Sequence, residues 1–141
     1  MDNTAYLTFP IPHHDVEAQA DPFVVRNGLR FAGIHLLIDL WGGRGMDDIA
    51  YVEHSLRRAA EACGATVLNV DLHRFQPTGV SGVAVLAESH ISIHTWPEND
   101  YAAIDIFVCG KCDPYLAVPV LRQAFAPEKI QLAEHKRGLT E

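Results

Sequence analysis

Three side chains able to take part in nucleophilic attack or proton transfer lie in the segment LAESHISIHTWPENDYAAIDIFVCG, residues 86–110. Ser89 directly follows Glu88. His94 comes five residues after that serine, and Cys109 comes twenty residues after it. A serine hydroxyl can attack a carbonyl carbon, an imidazole is a base near neutral pH, and a thiol can donate a proton. This segment is therefore the first candidate for a catalytic site.

The histidines and cysteines of the segment also fit two other kinds of site. His90 and His94 have the i, i+4 spacing of a zinc pair on a helix. The isoleucines between them favour a strand, and no glutamate follows His90, so we expect no metal there. The sequence CGKC, residues 109–112, could form a redox pair or half of a metal site, and a single such pair is weak evidence for either.

Hydrophobic periods predict the elements that hold this segment in place. Apolar residues recur at three- and four-residue spacing from Ile49 to Cys63, and Gly64 follows them, which predicts an amphipathic helix. Strands are predicted over residues 29–40, 65–75, 80–87, 90–95, 102–109 and 129–135.

A second helix is predicted near the C-terminus. Asp113 and Pro114 form an N-cap and a first-turn proline before a run that reaches Phe125. Because an internal proline removes a helical hydrogen bond, Pro119 predicts that this helix is kinked or begins late.

The order of these elements predicts an α+β fold. We expect a two-layer α/β sandwich, in which a mainly antiparallel sheet carries two helices on one face. The other face must be covered, and a second copy of the chain is the simplest cover, so we expect a homodimer paired through sheet faces or edges. Residues 1–28 contain three prolines and no sustained period, which predicts an N-terminal arm before one domain over residues 29–141.

Composition excludes several classes of partner. Eighteen acidic and eleven basic residues give a net charge of −7, and the basic residues do not cluster, so we expect no nucleic-acid interface. The N-terminus lacks a basic start followed by an apolar run, and no segment reaches the roughly eighteen apolar residues of a membrane span. We therefore expect a cytoplasmic protein without a membrane partner. Three cysteines without an export signal predict free thiols.

Longer stretches of sequence carry a family resemblance. The segment around Ser89, the sequence HRFQPTGVSG at residues 73–82 and the sequence GIHLLIDLWG at residues 33–42 belong to one pattern. Over about residues 33–138 the chain closely resembles the self-cleaving, pyruvoyl-dependent S-adenosylmethionine decarboxylases of the short prokaryotic type.

The resemblance implies that Ser89 is consumed to make a pyruvoyl cofactor. Its hydroxyl would attack the carbonyl of Glu88, and the resulting ester would break on loss of the Ser89 α-proton, which cuts the chain between these residues. The resemblance assigns stabilisation of the oxyanion to Ser81 and removal of the α-proton to His94. Cys109 matches the family's proton donor for decarboxylation. A pyruvoyl group would supply the electron sink that no side chain provides.

The spacing of Ser89 and His94 constrains this scheme. In a flat strand, residues five apart point to opposite faces of the sheet. We therefore expect a bend or bulge beside Ser89.

The resemblance also implies a substrate pocket. It places Phe75, Trp96 and Glu98 in ligand-contacting segments, and Asp39 at the end of the first strand. Aromatic faces and a carboxylate suit the purine, sulfonium and ribose of S-adenosylmethionine. The family often reads PEYGYAA where this chain reads PENDYAA, so Asp100 adds a carboxylate close to the presumed pocket.

Three functions stay open at this point. The favoured one is S-adenosylmethionine decarboxylation, which makes the aminopropyl donor for spermidine. Because a buried cation needs an anionic partner, the extra carboxylate leaves open a related decarboxylase of ornithine or arginine. An uncleaved, non-catalytic homologue would be expected to lack Ser89, His94 or Cys109, and all three are present.

Overall fold

The computed structural model of the protein describes residues 23–140, which form a six-stranded antiparallel sheet, a separate short hairpin and two α-helices. The elements are β1 (Val24–Arg26), β2 (Leu29–Phe31), β3 (Gly33–Trp41), α1 (Ile49–Ala62), β4 (Val67–Arg74), β5 (Val80–Leu86), β6 (Ser89–Trp96), β7 (Tyr101–Cys109), α2 (Ala117–Phe125) and β8 (Lys129–Arg137). The sheet order is β4-β5-β6-β7-β3-β8, and β1 pairs with β2. The α+β class and the antiparallel sheet are as predicted. Of the predicted arm, residues 1–22 lie outside the described residues, and Val24–Arg26 form β1.

Alternating side chains give the sheet two unlike faces. One face packs against α1 and α2, and we call it the covered face. It contributes the apolar side chains Ile34, Leu36, Ile38 and Leu40 of β3, Ile91 and Ile93 of β6, and Ala102, Ile104, Ile106 and Val108 of β7. The opposite face carries polar and aromatic residues from the same strands, because successive side chains point to opposite sides. We call it the open face.

Helix α1 follows from its sequence pattern. Asp48 precedes it, and its carboxylate accepts a hydrogen bond from the Tyr51 N–H at 3.1 Å. Val52 and Leu56 are fully buried against the sheet. The predicted end is also observed: Gly64, just after the helix, has φ +82°, a left-handed value that glycine adopts freely.

Helix α2 begins late, as Pro119 predicted. The expected start at Asp113 and Pro114 is a short 3-10 turn, Pro114–Leu116, in which the Asp113 carboxylate accepts from the Tyr115 N–H. The α-helix itself begins at Ala117. Pro119 therefore falls in the first turn, where an N–H has no helical partner to lose.

The predicted strand over residues 29–40 is wrong in its extent. It is divided into β2 and β3 at Ala32, whose N–H donates to the Arg137 carbonyl of β8 at 2.8 Å. Beyond the break, Gly33 lies so close to β7 that a Cβ there would be 2.3 Å from the Val108 carbonyl oxygen. Only glycine permits this approach, which places β3 beside Cys109 in the register Gly33↔Cys109.

The loop before β5 is fixed by buried and half-buried polar contacts. The hydroxyl of Thr95 accepts from the Val80 N–H and donates to the Met46 carbonyl, both at 2.8 Å. The Asp47 carboxylate accepts from the Gly79 N–H at 2.8 Å. These contacts hold the segment between β4 and β5 against the end of β6. Among residues 23–140, no helix has the length and apolar character needed to cross a bilayer.

Candidate active site

The bond between Glu88 and Ser89 lies in a tight turn between β5 and β6. Leu86 and Ser89 are paired across this hairpin, so the turn itself consists of Ala87 and Glu88. Ser89 has φ +139°, a value that residues with a side chain rarely adopt. A bend was expected here to bring Ser89 and His94 together; this backbone departs locally from strand geometry, but it does not bring the two residues together. Such backbone conformations cost about 1–3 kcal/mol and are common at reactive sites.

Backbone N–H groups donate hydrogen bonds to both the carbonyl oxygen and the side-chain carboxylate of Glu88. Its carbonyl oxygen accepts a hydrogen bond from the Cys109 N–H at 3.0 Å. Its carboxylate accepts from the Thr66 N–H, also at 3.0 Å. A donor on the carbonyl oxygen is placed where negative charge would develop if Ser89 attacked the carbonyl carbon. The sequence analysis assigned this task to Ser81 and missed the backbone donor.

Cys109 is therefore adjacent to the bond that the sequence marks for cleavage. It is the last residue of β7 and is half-buried, so its side chain stays accessible. Glu88, Ser89 and Cys109 form one cluster, which we call the cleavage end of the sheet.

Ser81 and His94 lie together at the opposite end of β6. They are directly paired across β5 and β6, and the distance from His94 Nδ1 to Ser81 Oγ is 3.0 Å. Ser89 and His94 are five residues apart on one strand, which corresponds to roughly 16 Å. Within a single chain the structure therefore does not bring Ser81 or His94 to Ser89. We call this second cluster the histidine end.

A pocket of about 320 Å³ opens beside the histidine end. Its lining includes Phe75, Thr78, Ser81, Trp96 and Glu98. The side chains of Phe75 and Trp96 are 47% and 41% exposed, so they are not core aromatics. The Thr78 hydroxyl donates to the Glu98 carboxylate at 3.0 Å, which holds this carboxylate beside the rings.

Asp39 lies on the open face near His94. It lines a groove of about 460 Å³ that also includes His94 and Asp105. The Tyr101 hydroxyl donates to its carboxylate at 2.6 Å. This bond raises the pKa of Tyr101 to about 12, so the phenol stays a donor at neutral pH. The Tyr101 ring in turn stacks between Trp96 and Trp41, at centroid distances of 5.3 and 4.4 Å.

Asp100 has a different environment from the other predicted binding residues. It has φ +50° and ψ +42°, a left-handed conformation that glycine favours and aspartate tolerates. Its carbonyl accepts from the Gly42 N–H at 2.7 Å. Its side chain does not line the pocket of Phe75 and Trp96, where Glu98 supplies the carboxylate.

Comparison with known proteins identifies the family. A family model described as S-adenosylmethionine decarboxylase matches residues 34–138. The chain belongs to the S-adenosylmethionine decarboxylase family. The S-adenosylmethionine decarboxylase proenzyme of Methanococcus maripaludis is 48% identical over 112 residues, which cover 77% of this chain and 92% of that protein. The proenzyme of Thermomicrobium roseum is 42% identical over 113 residues, which cover 79% of this chain and 97% of that protein.

A solved structure extends the likeness to the fold. The crystal structure of the adenosylmethionine decarboxylase from Aquifex aeolicus matches with a TM-score of 0.71 and 36% sequence identity. The match covers 79% of this chain and 94% of that one. The family and fold class read from the sequence are thus confirmed.

In this member of the S-adenosylmethionine decarboxylase family, the open face also carries a charged cluster that the sequence analysis missed. The Asp105 carboxylate accepts from His35 Nε2 at 2.5 Å and from His90 Nε2 at 3.2 Å. The Ser92 hydroxyl donates to its other oxygen. Burial raises the pKa of Asp105, but the hydrogen bonds from Ser92, His35 and His90 outweigh it and lower that pKa below 3.8.

The spacing of this cluster is compatible with a metal ion, but its hydrogen bonds are not. The ligand atoms of His35, His90 and Asp105 all lie within 4.8 Å of one another. Arg137 donates to Nδ1 of His35 at 3.2 Å, so the proton of this ring lies on Nε2 and points to Asp105. A metal ion at this nitrogen would have to displace that proton and its hydrogen bond to Asp105. His90 and His94, the alternative zinc pair, lie on a strand where four residues span roughly 13 Å.

The sequence itself contained a signal for this cluster. His35 and Asp39 alternate with apolar residues in β3, and Asp105 does so in β7. Polar residues at every second position of an apolar strand predict a face turned away from the core. The pattern predicts which face they share, whereas the partners depend on the strand register.

The protonation of Asp105 gives a testable dependence of stability on pH. Because the folded pKa lies below the unfolded value of 3.8, the stabilisation is fully present above that value. It is lost as pH falls through the folded pKa. Asp105→Asn should lower the free energy of unfolding by about 1.5–3 kcal/mol at pH 7, since it removes hydrogen bonds to a charged group. Urea titrations at a fixed protein concentration should show this difference shrink below about pH 4.

The exposed Asp71 of β4 provides a control for the removal of one negative charge from the same sheet. Asp71→Asn should change the free energy of unfolding by less than about 0.5 kcal/mol. A deficit of Asp105→Asn that stays constant between pH 7 and pH 3 would contradict the assigned hydrogen bonds.

Proposed function

We propose that this chain is a proenzyme that cuts itself between Glu88 and Ser89 and then decarboxylates S-adenosylmethionine. The observation that carries the proposal is the geometry of this one peptide bond. Ser89 has a positive φ, and the carbonyl of Glu88 already accepts a hydrogen bond from the Cys109 N–H at 3.0 Å. An ordinary hairpin turn requires neither feature.

The cleavage takes up one water and releases one ammonia in total. Ser89 Oγ attacks the Glu88 carbonyl carbon, the C–N bond breaks, and the hydroxyl proton passes to the released nitrogen, which leaves an ester. A base removes the Ser89 α-proton, and the Cβ–O bond breaks, so that Glu88 becomes a new carboxyl terminus. The remaining dehydroalanine takes up water and releases ammonia. The product is a pyruvoyl group at the start of β6.

The surrounding residues fit this group. Ser89 is the first residue of β6 and is paired with Val108 of β7, next to the half-buried Cys109 in the chain. When joined to the substrate's amino nitrogen, the pyruvoyl group supplies the electron sink for loss of carbon dioxide. Cys109 is the residue placed to donate a proton at this end of the sheet.

The base for cleavage comes from a second copy of the chain. His94 lies roughly 16 Å along β6 from Ser89, too far for proton transfer within one chain. Within residues 23–140, no element covers the open face. Leu37, Trp41 and Trp96 on this face are each about 40% exposed. A two-fold copy packed on this face, with its β6 antiparallel, would bring its histidine end to the cleavage end of the first copy.

The same symmetry creates two complete sites. Each contains Glu88, Ser89 and Cys109 from one protomer, and Ser81 and His94 from the other. After cleavage the homodimer contains two chains of residues 1–88 and two of residues 89–141. During cleavage, Ser81 of one protomer stabilises the oxyanion at Glu88 of the other, together with the N–H of Cys109.

The pocket next to the histidine end favours a nucleoside substrate. Phe75 and Trp96 present exposed aromatic faces, and Glu98 presents a carboxylate between them and Thr78. Rings can stack on a purine or contact a sulfonium, and a carboxylate can accept from ribose hydroxyls. Asp39 lies on the same face, where its carboxylate accepts from Tyr101. Asp100 does not line this pocket, so its carboxylate is not placed to bind the distal cation of ornithine or arginine there.

Self-cleavage can be tested on the purified protein. The wild-type chain should give fragments of residues 1–88 and 89–141, and the smaller fragment should resist N-terminal sequencing. Ser89→Ala should give one uncut chain, whereas Ser92→Ala, three residues along the same strand, should still cut. Cys109→Ala keeps the backbone N–H that contacts Glu88, so it should cut but decarboxylate poorly. Intact mass decides the result, and full turnover by an uncut wild-type chain would refute the proposal.

Sharing of the site between protomers can be tested with mixed dimers. His94→Ala expressed alone should stay uncut or stop at an ester that hydroxylamine splits. Co-expressed with a differently tagged Ser89→Ala chain, it should be cut, because the second chain supplies an intact His94. The matched control is co-expression with Ser89→Ala/His94→Ala, which should give no rescue. Equal cleavage of the His94→Ala chain in all three samples would argue for a site within one protomer.

Substrate preference can be tested by carbon dioxide release with S-adenosylmethionine, ornithine and arginine in parallel. We expect turnover of S-adenosylmethionine. Phe75→Leu and Trp96→Leu should each weaken its binding by about 0.5–2 kcal/mol, with self-cleavage intact. Asp100→Asn serves as the control and should bind S-adenosylmethionine as the wild type does. Turnover of ornithine or arginine alone, lost in Asp100→Asn, would replace the proposed substrate.

A further inference from the structure

Cys109 and Cys112 lie at the two ends of a tight turn formed by Gly110 and Lys111. The Cα atoms at the ends of such a four-residue turn lie within about 7 Å of each other. Disulfides join cysteines whose Cα atoms are about 4.4–6.8 Å apart. The Cα separation that such a turn allows therefore overlaps the range that a disulfide can span.

The turn between the two cysteines has room to adjust. Gly110 has φ +65°, and a Cβ built there would meet no atom within 4 Å. Lys111 is exposed. Cys109 shares the open face of β7 and Cys112 belongs to the core, so a bond between them requires this turn to rotate.

The two thiols have unequal access to solvent. Cys109 is half-buried and must be open to substrate if it donates a proton in decarboxylation. Cys112 is only 8% exposed. A small oxidant that enters by the route of the substrate would therefore reach Cys109 before Cys112.

The third cysteine is less suited to react. Cys63 lies at the end of α1 and is only 3% exposed. Burial, and next the nearby Cys112, raise the pKa of Cys63 to about 12, so it stays protonated at neutral pH. Burial, the charge of Glu88 and the charge of Cys109 raise the pKa of Cys112.

We propose that peroxides oxidise Cys109 and Cys112 to a reversible disulfide that stops decarboxylation and protects Cys109 from further oxidation. The Cys109 sulfur attacks one peroxide oxygen, the O–O bond breaks, and a sulfenic acid and one water form. The Cys112 sulfur then attacks the Cys109 sulfur, and its proton leaves with the hydroxyl group as a second water. Two thiols lose two electrons in total, and the peroxide gains them. The loss of turnover rests on the proposed role of Cys109 as proton donor.

Cleavage of the chain makes the disulfide simple to identify. Cys109 and Cys112 both lie in the fragment of residues 89–141, whereas Cys63 lies in the fragment of residues 1–88. Cleaved protein treated with hydrogen peroxide should give a small fragment lighter by two hydrogen atoms. Its activity should fall on the order of a hundredfold, as for loss of a general acid, and dithiothreitol should restore it.

Two variants separate this mechanism from general oxidation. Cys112→Ser should be as active as the wild type before treatment, but peroxide should inactivate it irreversibly and add two or three oxygen atoms to Cys109. Cys63→Ser should behave as the wild type.

Three results would overturn the inference. The first is recovery of Cys112→Ser by dithiothreitol to the same extent as the wild type. The second is peroxide treatment that leaves both thiols free or links the two fragments through Cys63. The third is a disulfide that forms while turnover continues, which would also remove Cys109 from the proposed decarboxylation. Because the mass is read on fragments or peptides, the disulfide can be scored even if the chain does not cleave itself.

Discussion

The antiparallel pairing of β6 with β5 and β7 is the constraint on which the rest of the structure depends. The pairs Leu86↔Ser89 and Ser81↔His94 belong to one uninterrupted ladder, so the two ends of β6 are fixed relative to each other. On the other side, the pair Ser89↔Val108 puts the N–H of Cys109 within hydrogen-bond distance of the Glu88 carbonyl. A slip of this register by one residue would turn every side chain of β6 to the other face.

The same ladder explains why a single copy does not bring Ser81 and His94 to the proposed cleavage bond at Glu88 and Ser89. A strand is stiff, and it keeps the residues at its two ends apart as firmly as it keeps neighbours together. The open face combines exposed Trp41 and Trp96 with the Asp105 cluster, whose carboxylate already has hydrogen-bond partners. Such a face can be buried without stranding that charge, because its donors come from the same chain.

The sequence predicted the elements that depend on local pattern. The stripe from Ile49 to Cys63 predicted α1 to within a residue, and Pro119 predicted the late start of α2, because periodicity and proline act within one turn. The division at Ala32 was not predictable, since it depends on a hydrogen bond to Arg137, which is over a hundred residues away. Gly33, directly after it, is a local sign of a close backbone approach, but it does not show which strand approaches.

The candidate site follows the same distinction between local and distant information. The distance between Ser89 and His94 follows from counting residues along one strand. The pairing of Ser81 with His94 required the register of β5 and β6. The cluster of His35, His90 and Asp105 combines residues of β3, β6 and β7, so no short window of sequence contains it.

The position of the turn at Ala87 and Glu88 has a consequence for how the protein folds. The uncut chain brings β5 and β6 together as one molecule, with a loop of two residues whose closure costs little entropy. Once the bond is cut, the ladders on both sides of β6 still hold the fragments, but their reassembly from the unfolded state becomes a reaction between separate chains that depends on concentration. The intact precursor is then the species that folds efficiently. A protein cut as proposed would persist through slow unfolding rather than through efficient refolding.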